Sequence, residues 1–169
     1  MSELINVVRL GYIDIVRRLL DDGAKINMRD NDLGNTALMY ASEIGNIGNI
    51  NIVQLLLDRG ADSDMPNFNG QTALMWASEI GNIDIVQLLL DRGADPDIQN
   101  EVGDTALMWA SEIGNIDIVQ LLLEEGADPT IVNEKGMSYI DIINSFYKKE
   151  EKKIRKIQRR FREKRTLKR

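Results

Sequence analysis

Residues Thr72 to Leu90 read TALMWASEIGNIDIVQLLL, and residues Thr105 to Leu123 repeat all 19 letters at an offset of 33. The same wording begins at Thr36, displaced by 36, and a degenerate copy begins at Ser138, 33 beyond Thr105. The three surplus residues lie in EIGNIGNINIV, residues 43–53, where Gly-Asn-Ile is written twice. One unit therefore runs down the chain, and any fold must be built by repeating it.

Within a unit, Thr72 to Gly81 predicts a short helix with Thr72 as N-cap and Gly81 as the left-handed residue that ends it. A second helix follows at once: Asn82 caps it, Asp84 complements the dipole of its first turn, and Ile85, Val86, Leu88, Leu89 and Leu90 give it a wide apolar face. Ala94 to Gly103 (ADPDIQNEVG) is polar and turn-rich, and it predicts an extended finger. Two short helices cannot bury so much apolar surface alone, so neighbouring units must stack side by side. The chain begins inside a unit, Ser2–Gly11 matching a first helix and Tyr12–Asp22 a second. At the other end Tyr147 stands where Gly should stop the first helix, so that helix can run on into the tail. The doubled Gly-Asn-Ile falls in the turn between the two helices of its unit. Three residues rotate a helix by about 300 degrees, so the insert is expected as a looped-out or loosened turn, a tolerated duplication.

These features resemble the ankyrin-repeat family, which has a 33-residue period and a T-P-L-H-x-A signature. The matching residues are Gly70/Gly103, Thr72/Thr105, Leu74/Leu107, Ala77/Ala110, Gly81/Gly114, the Ile-Val-x-Leu-Leu-Leu run, and Gly-Ala-Asp at 60–62, 93–95 and 126–128. The resemblance implies an all-α solenoid, each unit a helix-turn-helix with a β-hairpin finger. It spans residues 1–147, in units of about 1–30, 31–66, 67–99, 100–132 and 133–147, followed by a basic helical tail at 148–169. The signature Pro-Leu-His is replaced by Ala-Leu-Met at 37–39, 73–75 and 106–108, so thioether packing must stand in for the histidine's hydrogen bonds. The near-identical copies resemble the amplified ankyrin-repeat proteins of large DNA viruses or intracellular bacteria.

Composition narrows the chemistry. Cysteine and histidine are absent from the 169 residues, which removes thiolate nucleophiles, imidazole bases and the usual zinc ligands. Phosphate-binding and nucleophile-elbow motifs are absent too, and the paired acids Asp21-Asp22, Glu124-Glu125 and Glu150-Glu151 sit at helix ends or in the tail. Asp30-Asn31-Asp32-Leu33-Gly34 resembles a calcium loop, but its Gly comes one place early and Ala41 stands where the bidentate Glu belongs. The expectation is a non-enzyme with no cofactor and no metal. The longest apolar runs are too short to cross a membrane, and MSELINVV lacks the basic region, apolar stretch and cleavage site of a signal peptide. An intracellular location, cytoplasmic or nuclear, follows; for a viral or effector protein that means the host cell.

The resemblance implies a concave binding surface made of fingertips and first-helix positions. It marks Asp32, Leu33, Asn35, Phe68, Asn69, Gln71, Glu101, Val102, Asp104 and Met137 on the fingers, and Glu43, Ile44, Glu79, Ile80, Glu112 and Ile113 on the helices. Three glutamates at one stacked position would favour a basic protein partner, or would merely keep the surface soluble. Tyr40, Trp76 and Trp109 form a second ladder, either a partner anchor or packing between units.

Net charge is −6, an average over two unlike parts. Residues 148–169 hold 13 Lys+Arg against 3 Asp+Glu, a charge of +10; residues 1–147 hold 8 against 24, a charge of −16. The tail places Lys152, Lys153, Arg155, Lys156, Arg159, Arg160, Arg162, Lys164 and Arg165 around a thin stripe of Ile154, Ile157 and Phe161. It reads as a nuclear-import signal, as an approximate calmodulin-type IQ element, as a site for nucleic acid or an anionic surface, or as a solvated helix. A further reading lays it over the acidic groove of its own chain or of a neighbour.

Overall fold

The computed structural model describes the backbone of residues 2–43 and 47–166, and the side chains of residues 2–43 and 50–152. Among the described residues all regular structure is helical: α1 Glu3–Arg9, α2 Ile13–Asp21, α3 Ala37–Glu43, α4 Ile47–Asp58, α5 Ala73–Ile80, α6 Ile83–Asp91, α7 Ala106–Glu112, α8 Ile116–Glu124 and α9 Tyr139–Thr166. Helices pair as expected, α1 with α2 through α7 with α8, and the pairs stack in chain order. The first helices α1, α3, α5, α7 and α9 form the tightly packed inner layer, and the second helices meet one another only lightly.

Sequence accounts for several of the helix starts, although Thr105 makes no side-chain cap bond. The Thr72 hydroxyl accepts from the Met75 backbone N–H at 3.4 Å, and Asn82 and Asn115 side chains accept from Ile85 and Ile118 N–H at 3.2 Å. The core is the repeated Leu, Met and Ala of the first helices with Ile, Val and Leu of the second; Leu74, Met75, Ile85 and Leu89 are almost wholly buried. Burying such side chains stabilises by about 1.5–3 kcal/mol each before entropy is counted. The methionine that replaces the family's histidine keeps part of its polar role. The Thr36 backbone N–H donates to the Met39 sulfur at 3.5 Å, while Thr36 Oγ accepts from the Met39 N–H at 3.3 Å.

Each finger follows a hairpin path but is only a closed turn, without a strand ladder. Asn67 N–H donates to the Gln71 carbonyl, and Asn100 N–H to that of Asp104. One further bond ties each finger to the last: Phe68 N–H to the Leu33 carbonyl, Glu101 to Asn69, and Glu134 to Val102, at 2.9–3.0 Å. So close a stack leaves no room beside Gly70 and Gly103. A Cβ on Gly103 would lie 2.9 Å from Asn133 Cα, and its φ of 80° is one that L side chains seldom adopt. Gly103→Ala is therefore expected to lower stability by about 1–3 kcal/mol. Thermal denaturation checks this, with Gly93→Ala as control: its φ is 84° but nothing lies within 4 Å, so only strain is felt there.

The doubled Gly-Asn-Ile departs from the expected loop. Helix α4 has 12 residues, IGNINIVQLLLD, against 9 in α6, so Ile47, Gly48 and Asn49 prepend a helical turn. The mismatch of phase is harmless because nothing upstream must stay in register with it. Ile52, Val53 and Leu56 occupy the core as Ile85, Val86 and Leu89 do. Residues 44–46, including the candidate Ile44, lie outside the described residues.

At the C-terminal end α9 passes straight through Tyr147 and is helical to Thr166. No Gly or Pro interrupts it.

Candidate functional site

Three features are stacked along the layer of first helices. On α5 the side chains of Trp76, Glu79 and Ile80 are three and four residues apart and so share a face; on α7 Trp109, Glu112 and Ile113 repeat it. The 33-residue register carries these rows into α9 as Ile142, Ser145 and Phe146, and a step of 34, for the one extra residue of the first finger, carries them back from Tyr40, Glu43 and Ile44 to Asn6, Arg9 and Leu10. The acidic row thus covers Glu43, Glu79 and Glu112 and ends at a serine on one side and an arginine on the other. Glu79 and Glu112 are exposed and Glu43 half-buried.

Glu79, the middle carboxylate, feels both of its neighbours. The Glu79 carboxyl is raised above the usual 4.5, chiefly through partial burial in the wall and then through the charges of Glu112 and Glu43. A carboxylate held against its neighbours in this way is relieved by any cation that approaches all three.

Beside the acids run apolar edges. Ile80 and Ile113 are exposed near the helix ends, and Leu33, Phe68 and Val102 are exposed on the fingertips. Asp32, Asn69 and Glu101 stand exposed next to them. Phe68 has less freedom than a bare anchor, because one side of its ring lies on Gly34 of the preceding finger. Met137 is half-buried at the last finger.

Four finger candidates face inward, and Asn35 is a correction: it is 2% exposed, and its side-chain oxygen accepts from Asn67 Nδ2 at 2.8 Å. Gln71 accepts from the same Nδ2 at 2.8 Å, and Asp104 accepts from Asn133 Nδ2 at 2.7 Å. Asn35 and Asp104 thus hold finger to finger, Gln71 closes its own finger, and Met137 is their counterpart by register. The reason lies in the next finger, whose Asn67 or Asn133 amide donates to that position, which fingertip register alone does not reveal.

The aromatic ladder is half-buried and packs on the core. Tyr40 donates its hydroxyl to Asp30 Oδ2 at 2.7 Å, and the Arg9 guanidinium lies over its ring at 5.1 Å. The Trp76 indole N–H is buried without an acceptor. Asp30 explains the calcium-like loop: its Oδ1 accepts the N–H groups of Asp32, Leu33 and Gly34 at 2.9–3.0 Å. Burial pushes its carboxyl up, but the Tyr40 and backbone bonds outweigh this and hold it below the ordinary range. Asn67, Asn100 and Asn133 do the same work in later fingers.

A cavity of about 210 Å³ opens at the C-terminal end of the face, lined by Asp104, Glu112, Lys135, Met137, Phe146 and Lys149 among others. Phe146 lies against Gly114, so the last helix is wedged onto α7 by the residue that continues the isoleucine row. Arg9 and Phe146 escaped the reading of the sequence, although the repeat register locates both once the extra residue of the first finger is allowed for. In the tail, Lys152 is exposed; the side chains of Lys153, Arg155, Lys156, Arg159, Arg160, Arg162, Lys164 and Arg165 lie outside the described residues. No described helix is long and apolar enough to cross a membrane.

Comparison with known proteins agrees with this architecture. The pattern described as ankyrin repeats (3 copies) matches residues 4–100 and 44–133. An ankyrin repeat-containing protein of Treponema pallidum (strain Nichols) is 39% identical over 70 residues, 41% of this chain and 22% of that protein. The aligned part is thus about a fifth of that relative's length. With paired helices, stacked fingers and a matched span covering most of its length, the chain belongs to the ankyrin-repeat family.

Proposed function

We propose that the chain is a non-catalytic recognition module that binds a basic helical segment of a protein partner along its concave acidic face. One observation carries the reading: Glu43, Glu79 and Glu112 form a row in which Glu79 is raised first by burial and then by the charges of Glu112 and Glu43, flanked by exposed Ile80 and Ile113. Apolar rows beside a charged row fit an amphipathic helix, which would meet the isoleucines and fingertips with its aliphatic stems and the glutamates with its cations. The stacked helices hold these groups in place beforehand, so little order is lost on docking. Residues 1–147 form the recognition unit in this reading and residues 148–169 a separate basic segment, in an intracellular setting, cytoplasmic or nuclear.

Glu79→Gln tests it. A Lys/Arg-rich amphipathic peptide titrated into the full chain is expected to bind roughly two- to five-fold more weakly to this variant, the scale of one exposed ion pair. The pH dependence has a definite sign. A cation favours ionised Glu79, so binding is complete above its raised pKa and is lost as pH falls through that value toward 4.5. Glu79→Gln should flatten that profile. Equal affinity of both proteins across this window defeats the proposal.

The second reading is a tail-driven binder of nucleic acid or an anionic surface, or an adaptor whose tail is an import or calmodulin-like signal. It draws on the +10 of residues 148–169 and on the helix that carries them past the stack. Such complexes weaken steeply with salt and ignore Glu79.

A further inference from the structure

Helix α9 belongs to the stack at one end and leaves it at the other. Its first two turns are the inner helix of the last unit, with Ile143 buried in the core and Phe146 against Gly114 of α7. Every other described inner helix ends where the chain turns into the outer layer. Only α9 continues, so its last five turns run across the stacking direction, away from the fingertips. From Tyr147 to Thr166 this extension is about 28 Å long.

The acidic row runs along the stacking direction, perpendicular to that extension. Without a Gly or Pro between Tyr139 and Thr166, one continuous helix cannot both be the last member of the stack and lie along the groove that the stack forms. Docking of the tail within its own chain would need the helix broken, at the loss of several intrahelical bonds.

Spacing and charge fit the groove of another copy. Lys148, Arg155 and Arg162 recur every seven residues, about 10.5 Å apart on a nearly common stripe. Glu43, Glu79 and Glu112 sit one helix-to-helix step apart, about 8–10 Å for packed helices. Three cations and three carboxylates therefore have closely matched repeats. The row is bounded by Arg9 and by Lys135 and Lys149 at the cavity, so the attractive strip has about the length of that stripe.

We infer that the basic extension of α9 docks on the acidic concave face of a second copy, so that the chain associates with itself through a tail-to-groove contact. This rests on the concave face being the binding surface and names a second copy of the chain as its occupant. Two such contacts, each tail in the other's groove, close a two-fold dimer. A free partner would then have to displace the tail.

The test uses full-length chains. At low salt the mass should rise from 19.1 kDa toward twice that value with concentration, and return to the monomer when salt shortens the Debye length. The groove variant Glu43→Lys/Glu79→Lys/Glu112→Lys and the tail variant Lys148→Glu/Arg155→Glu/Arg162→Glu should each be monomeric. Mixed one to one, they present complementary charges at both contacts and should recover the doubled mass. Helical circular dichroism and melting monitor folding of each. A chain monomeric at every salt and concentration overturns the inference, as does association that survives groove reversal or needs nucleic acid to form. The tail variant also separates this inference from the proposed function: if it stays monomeric when mixed but binds the added basic peptide, the groove reading stands and the second copy is excluded.

Discussion

Replacing Leu74 with Ala is expected to lower stability by about 2–5 kcal/mol, the range found when a fully buried leucine is truncated in a rigid core. Leu74 is 1% exposed and lies in α5, which packs on both α3 and α7. The melting temperature should fall by roughly 5–15 °C at the usual sensitivity for a chain of this size. The size of the loss follows from the one-dimensional build, in which each unit's stability is shared with its neighbours. A cavity in the central unit weakens two interfaces and lets the stack separate into halves. Ile5→Ala removes a residue equally buried, but in α1, which has a neighbouring unit on one side only. It should fray the first unit and move the main transition less. Calorimetry and chemical denaturation check the pair; equal shifts from both substitutions would mean the stack melts as one block.

The contrast reflects what could be read beforehand. The period of 33, the pairing of helices and the core positions follow from local pattern, because each unit repeats the same apolar letters and the same caps. Thr72, Asn82 and Asn115 cap the helices they precede, and Tyr147 lets the last helix run on. What local pattern cannot show is a contact made by the next unit. Asn35 looked like a fingertip residue, yet Asn67 of the following finger covers it and takes its oxygen. Phe68 looked like a free anchor, yet one side of its ring rests on Gly34. The extra Gly-Asn-Ile looked like a loop because a helix was judged as a phase that must be kept on both sides of the insert. Placed at the start of α4, it has only one side to match. Arg9 and Phe146 were legible by register and lost to their company: one stands in a shortened unit, the other in a degenerate one.

Reversing the whole acidic row should have the largest effect on recognition. Glu43→Lys/Glu79→Lys/Glu112→Lys changes the groove by six charges, and each position loses an attraction and gains a repulsion. At roughly 1 kcal/mol per position for accessible pairs, affinity for a basic helical peptide should drop about 100-fold or more. The three changes should not add independently, because Glu79 already feels Glu112 and Glu43; neighbours that share one field couple. That coupling makes a specific demand. In the native row the charges of Glu112 and Glu43 add to the cost of ionising Glu79, so substituting one of these neighbours first relieves Glu79 and should cost less than the second substitution. The order of single, double and triple variants therefore matters, and the losses should steepen along the series. Salt should shrink every difference, since these charges face water. Affinity for an acidic peptide of the same length should rise as affinity for the basic one falls. Stability should change little, for Glu79 and Glu112 are exposed and Glu43 only half-buried. A triple variant that melts like the native chain yet binds the basic peptide with native affinity would remove the concave row from recognition altogether.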